Sequence, residues 1–260
     1  MKAMVLSAAA AHVVHLFFEW LAIAVGMQMY CWQRVHAKQP GMLHAGHYGV
    51  LIGCILGAAM GNKLVFWLEF PHLWALSWQH IDAWVSGQSI VGGLLGGLMG
   101  VELMKKWYGM TTSMGDHFVL PLVVGTAIGR IGCFLAGLND GTYGNATALP
   151  WGVDFGDGIM RHPTQLYDIL FVLLYGVVLL TVKDRWRSKP GVLFKLYLSG
   201  YLFWRLAVDS IKPVPYDYGW GLSGIQIVCV VALLCYLPCV VHQFYFSSEE
   251  PYGASPDETG

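Results

Sequence analysis

FVLPLVVGTAIGRIGCFLAGL, residues 118–138, carries a single charged side chain, Arg130, in an otherwise apolar and glycine-containing run. About twenty such residues are what an α-helix needs to cross a hydrocarbon core. Similar runs recur at roughly 5–30, 47–69, 88–104, 164–182, 191–211 and 222–245, which with 116–137 makes seven candidate spans. The whole chain agrees. Of its 260 residues, 56% are hydrophobic and only 12% charged, about half the roughly 25% charged content of soluble domains. The expected fold is an all-α polytopic membrane protein, read as one domain over 1–246.

Lysine and arginine placement sets the expected sidedness. Arg34 and Lys38 follow the first span, Lys105 and Lys106 the third, and Lys183, Arg185, Arg187 and Lys189 the fifth. The alternate connections hold no cation (70–88), Arg161 alone (138–162) or Lys212 alone (212–221). Seven transmembrane helices with this bias put the N-terminus outside and the C-terminus in the cytoplasm. The tail 247–260, acidic and rich in Pro, Gly and Ser, is expected to be disordered. The N-terminal run resembles a secretory leader at Lys2 and Ala8-Ala9-Ala10, but it continues to about Met29 through His12, His15 and Glu19, so a spanning helix is the better reading.

A net charge of −1 offers nothing to nucleic acid. The six cysteines contain no CxxC pair and read as small buried apolar residues rather than a disulfide or zinc framework. Gly92, Gly93, Gly96, Gly97 and Gly100 of the third span include small-xxx-small pairs that favour close helix packing, or leave room for a lipid tail.

Ionisable groups inside a bilayer are costly and carry jobs or partners. His12, His15 and Glu19 follow i, i+3, i+7 spacing and share one helix face; a polar stripe beside a cavity is favoured over a metal site. Lys63 either snorkels to an interface or faces an anionic headgroup. Glu102 and Lys106 read as a surface ion pair. Arg130, flanked by Gly129 and Gly132, offers a planar fork matched to phosphate oxygens; the competing reading is a structural pair with Asp116 or Glu19. Arg205 and Asp209 form an i,i+4 pair that is either self-satisfied or catalytic. The segment 138–162 is long for a connection and rich in Gly, Asp and aromatic residues, a common sign of function. It runs into Arg161, His162, Gln165 and Tyr167, which supply donors and an imidazole at the outer interface. Tyr167 also suits an aromatic anchor.

Three runs resemble the prolipoprotein diacylglyceryl transferase family. They are Gly129-Arg130-Ile131-Gly132-Cys133-Phe134, Leu149-Pro150-Trp151-Gly152-Val153 and Arg161-His162-Pro163-Thr164-Gln165-Leu166-Tyr167-Asp168. The family signatures are G-R-x-G-N-F, L-P-W-G-V and R-H-P-S-Q-L-Y-E. Gly61-Asn62-Lys63 stands where the family has a Gly/Ala-Arg pair, and Arg205 to Asp209 matches its Arg-x-x-x-Glu element. The resemblance covers about 15–240.

The resemblance implies transfer of a diacylglyceryl group from phosphatidylglycerol, or a related phospholipid, to the thiol of a lipoprotein-precursor cysteine. Glycerol phosphate leaves, and no metal or organic cofactor takes part. It places the protein in the bacterial cytoplasmic membrane, with a site opening outward. Arg130, Arg205, Glu19 and His162 are the expected catalytic residues; Arg161, Gln165, Tyr167, Lys63, Asp116, Gly141 and His15 are expected to bind substrate. Departures mark a divergent member: Val91 replaces the histidine of a His-Gly-Gly run, Cys133 replaces the signature asparagine, Leu138 replaces an acid with Asp140 close by, and Glu19 lies near a tyrosine position. Glu19, His15 or His162 then handles the proton. The alternatives are a paralogue with a different acceptor and a non-catalytic lipid-binding membrane protein; a transporter fits less well, because paired broken helices are lacking.

Overall fold

A computed structural model describes residues 3, 5–38, 48–77, 87–111, 113, 115–186 and 189–246. The expected disordered tail lies outside them. The described residues form eight α-helices: α1 (Ala8–His36), α2 (Tyr48–Glu69), α3 (Pro71–Ser77), α4 (Ile90–Trp107), α5 (Val119–Ala136), α6 (Thr164–Val182), α7 (Val192–Asp209) and α8 (Gly224–Phe246). Five segments are long and apolar enough to cross a membrane: Ala8–His36, Tyr48–Glu69, Gly115–Asp140, Thr164–Trp186 and Gly224–Gln243. This is a polytopic membrane protein. The expected third and sixth spans also form helices, α4 and α7, but each carries three charges: Glu102, Lys105 and Lys106 in one, Lys195, Arg205 and Asp209 in the other.

Local chemistry explains the helix ends. Ser7 caps α1 by accepting from the Ala10 N–H at 3.3 Å. That helix runs past the expected end near 30 because Arg34, buried, donates to the Tyr30 hydroxyl at 3.1 Å one turn earlier. Ser89 caps α4. The Gly115–Phe118 and Gly137–Asp140 turns of 3₁₀ helix bracket α5, and Gly141 closes the second at φ +68°, a conformation that suits glycine. One departure from the all-α expectation is a small antiparallel pair, β1 (Val153–Asp154) with β2 (Met160–Arg161). Backbone outside the helices still has to pair its amides and carbonyls, and here it does so with itself.

Two helix pairs set the frame. Against α5, α1 packs through Gly132, where a Cβ would stand 2.5 Å from the Phe18 Cβ, and through Gly26, 3.5 Å from the Pro121 carbonyl oxygen. Against α4, α2 packs antiparallel with backbone on backbone: Gly53, Gly57 and Gly61 oppose Gly100, Gly96 and Gly92, and a Cβ at any of them would run into a facing carbonyl oxygen. Lipid tails give apolar helices little reason to associate, so this close approach supplies the attraction. The central core lies between α4, α5, α6, α7 and α8, with Val91, Ala127, Val172, Leu198, Leu202 and Cys229 buried together.

The glycine seam makes a sharp prediction. Alanine is the better helix former, by roughly 1 kcal/mol, so Gly93→Ala, whose Cβ meets only the Ala58 carbonyl at 4.0 Å, should leave thermal stability equal or higher. Gly96→Ala should lower it by about 1–3 kcal/mol through overpacking. Equal unfolding temperatures in detergent would contradict the seam.

Candidate active site

The polar residues singled out by sequence gather mostly at one end of the bundle, where α1, α6 and α8 begin and α2, α5 and α7 end. α5 and α7 bring Arg130 and Arg205 to the same acid, Asp168 of α6. Arg130 Nε lies 2.9 Å from Asp168 Oδ2, and Arg205 Nη1 lies 3.5 Å from the same oxygen. The Arg130 Nε–H is not aimed along that short contact, so it is a charge pair rather than a well-formed hydrogen bond. Trp204 Nε1 donates to Asp168 Oδ1 at 2.7 Å, which fixes the carboxylate from its other side. Arg205 is the more committed cation, since Nη2 donates to both Asp209 oxygens at 2.7 and 2.9 Å. Lys212 Nζ reaches Asp209 Oδ1 at 3.4 Å. Burial, then the nearby Arg205 guanidinium, pulls the Lys212 ammonium down to about 8. Three cations thus meet two carboxylates in direct contact, with Asp140 and Glu69 further off but within electrostatic reach.

The sequence reading favours a phosphate-binding Arg130 and weighs against it a structural pair with Asp116 or Glu19; in the structure Arg130 pairs with Asp168. Asp116 is a correction. It sits before the start of α5, far from Arg130 at the other end of that helix, and its carboxylate accepts from the Gly191 and Phe194 amides at 2.7 and 2.9 Å. It caps α7 and has no place beside the arginines.

On α1, His15 Nδ1 lies 2.7 Å from Asp140 Oδ1. Asp140 also accepts a very short hydrogen bond from the Thr142 hydroxyl. Glu19, half-buried one turn along α1, is within electrostatic reach of Lys63. Lys63 donates to the Gly87 carbonyl at 2.7 Å, and Asn62 accepts from the Ser89 amide at 2.7 Å, so both tie the chain entering α4 to α2. Val91, where the family resemblance led one to look for a histidine, is 1% exposed and packed in the core.

The segment 141–163 forms a laced cover at this end of the bundle. Its backbone is pinned by Gly144 N–H to His162 O (2.9 Å), His162 N–H to Asn145 O (3.1 Å) and Asn145 N–H to Ile211 O (2.8 Å). Trp151 donates to the Tyr167 hydroxyl at 2.8 Å, and the same oxygen lies in hydrogen-bond contact with His162 Nδ1 at 3.2 Å. Arg161 lies over the Tyr143 ring, 5.1 Å from its centroid, and pairs with Asp157 at 2.7 Å. That hydrogen bond holds the Asp157 carboxyl below its usual range. Gly141 borders open space. Gln165 is fully buried one turn before Asp168, and neither atom of its amide finds a partner among the described residues.

Sequence reasoning therefore united Arg130, Arg205, His15, His162, Gln165 and Tyr167 at one end, and missed Asp168 and Lys212. The signal for Asp168 was present: it is the single charge in the apolar run 164–182, the same reasoning that flagged Arg130.

Comparison with known proteins points one way. A model of the family described as prolipoprotein diacylglyceryl transferase matches residues 11–242. A phosphatidylglycerol–prolipoprotein diacylglyceryl transferase of Legionella pneumophila (strain Corby) is 35% identical over 195 residues, covering 70% of this chain and 72% of the relative. The proteins of that name from Methylobacillus flagellatus and Wolinella succinogenes are 37% identical over 176 residues and 28% over 212. Those alignments cover 65% of this chain and 63% of the Methylobacillus protein, and 77% and 75% for Wolinella.

Proposed function

The chain belongs to the prolipoprotein diacylglyceryl transferase family, and from that footing we propose that it moves a diacylglyceryl group from phosphatidylglycerol to the cysteine thiol of a lipoprotein precursor. The acceptor sulfur attacks the glycerol carbon that bears the phosphate. The carbon–oxygen bond breaks, and glycerol phosphate departs with the electron pair. Negative charge grows on the leaving phosphate, so cations already fixed around it lower the barrier. The observation that carries this reading is the convergence of Arg130, Arg205 and Lys212 at one place in the bundle.

Arg130 meets Asp168 through Nε and rests Nη1 against the Cys133 sulfur at 3.7 Å, a weak contact that a phosphate oxygen would displace. Arg205, held by Asp209, acts mainly by position and charge. The incoming thiol must lose its proton. His15 is the base that best fits, because Asp140 orients its ring through Nδ1. A base so placed contributes about 10²–10⁴-fold. Gln165, a buried amide without partners, is suited to a lipid ester or headgroup hydroxyl, and the Arg161–Tyr167 cover to the precursor peptide.

The membrane arrangement belongs to the same proposal. Residues 1–246 form one domain of seven spans in the bacterial cytoplasmic membrane, with α4 and α7 held in the bilayer by their neighbours. The cation-rich ends at Arg34, Lys105 and Lys183 face the cytoplasm, and the arginine cluster faces outward. Apolar Val91 at the start of α4 supports a second reading, a paralogue that passes the same lipid group to another nucleophile.

The full chain in phosphatidylglycerol liposomes, given a lipobox peptide, should release glycerol phosphate and yield a peptide heavier by one diacylglyceryl group. Glycerol phosphate without lipidated peptide supports the paralogue reading. Release of neither product defeats both. Lys212 adds a pH signature: its charge is lost as pH rises through about 8, so kcat/KM should fall above that pH. The falling limb should disappear in Lys212→Met, at a uniformly lower rate.

A further inference from the structure

We propose that Cys133, His15 and Asp140 form a nucleophilic triad that takes an acyl chain from a glycerophospholipid onto the Cys133 sulfur. The proposal rests on the reading of Arg130 as the holder of the lipid phosphate. Cys133 Sγ, a His15 ring nitrogen and an Asp140 carboxylate oxygen all lie within 4.8 Å of one another. Within that cluster His15 Nδ1 lies 2.7 Å from Asp140 Oδ1, and the thiol lies within 4.8 Å of both residues. Nucleophile, base and orienting acid in that order are the recurring constellation of acyl transfer, recognised by geometry and not by fold.

A shared metal ion accounts for the same three residues less well. Two ligand atoms about 2.0–2.2 Å from a tetrahedral zinc stand roughly 3.3 Å apart. His15 Nδ1 and Asp140 Oδ1 at 2.7 Å are instead at the separation of a shared proton.

Two further observations give the thiol a substrate. Arg130 Nη1 donates to Cys133 Sγ at 3.7 Å, so a lipid whose phosphate sits on Arg130 has its glycerol esters beside the sulfur. Gly129, one turn earlier on the same face of α5, borders open space: a Cβ there would meet nothing within 4 Å. That gap is where an ester-linked chain would approach Cys133, itself 7% exposed.

In the step, the thiol proton passes to His15 and the sulfur bonds to the ester carbonyl carbon. The acyl carbon–oxygen bond then breaks, and His15 returns the proton to the departing glycerol oxygen. A lysophospholipid leaves, and Cys133 holds a thioester. Water then cleaves the thioester, giving a fatty acid and the free thiol. Attack by Cys133 on the phosphate-bearing carbon would instead leave a thioether, from which the enzyme could not turn over.

The test uses the full chain in liposomes of phosphatidylglycerol bearing an alkyne at the end of each acyl chain. Label on the protein is read by mass spectrometry before and after hydroxylamine, alongside lipobox-peptide transfer. The expected result is one hydroxylamine-labile acyl group on Cys133, absent in Cys133→Ala. It should fall about a hundredfold in Asp140→Asn and be strongly reduced in Gly129→Leu, which blocks the approach and leaves the triad intact. A hydroxylamine-stable diacylglyceryl adduct, or one zinc bound per chain as purified, would overturn the triad. So would peptide transfer with no labelled protein, which overturns the triad alone and leaves the transferase reading standing. Labelled Cys133 with no peptide transfer does the reverse.

Discussion

Arg130→Ala should lower glycerol phosphate release by at least about 10²–10³-fold, the scale on which a single donor to a developing oxyanion acts, while the protein still folds. Folding survives because Asp168 keeps Arg205 at 3.5 Å and the Trp204 donor at 2.7 Å, so its carboxylate is not stranded. Arg130→Lys separates charge from shape. An ammonium restores a point charge but not the planar fork, so it should recover part of the rate and none of the selectivity for a phosphodiester. Michaelis constants sharpen the reading. If Arg130 acts on the leaving group, kcat falls and KM moves little; a rise in KM alone would make it a ground-state binding residue. Wild-type turnover in Arg130→Ala would remove the arginine from the chemistry.

Asp168→Asn should be the most damaging single change to the fold. Asp168 is 1% exposed and stands between two guanidiniums, themselves 6% and 5% exposed. Asparagine preserves shape and can still accept from Trp204, yet it removes the charge that lets Arg130 and Arg205 lie side by side. Breaking a buried pair by deleting one partner costs about 3–5 kcal/mol, and the penalty here includes repulsion between the two cations. The unfolding temperature in detergent should drop sharply. Adding Arg130→Met to Asp168→Asn should recover much of that stability and no activity. An unchanged unfolding temperature in Asp168→Asn would mean that the arginines are balanced by something other than this acid.

These two residues show what could be read before any coordinates and what could not. Arg130 stood out because an apolar run contained one charge, and Asp168 satisfied the same rule three residues after the more conspicuous Gln165. In the sequence Asp168 reads as the end of a motif, which hides it as a charge inside a helix. Asp116 misled for the opposite reason: its sequence neighbourhood was polar, and nothing local reveals that its carboxylate closes the amides at the start of α7, some 75 residues on. The glycines of α4 were recognised as a packing face, but their partner was not, although Gly49, Gly53, Gly57 and Gly61 repeat at the same spacing in α2. Helix existence followed from apolar length; helix ends were set by contacts such as Arg34 with Tyr30. Cys133 was read as a filler of space, because the approach of His15 and Asp140 depends on how α1 leans on α5, which no local pattern encodes.

The bond from the Asn145 amide to the Ile211 carbonyl joins the cover to the cation cluster. Ile211 lies between Asp209, which grips Arg205, and Lys212, so the cover and the cation cluster share one stretch of backbone. On the transferase reading, a polypeptide that settles on the cover should shift the charges proposed to receive the phosphate.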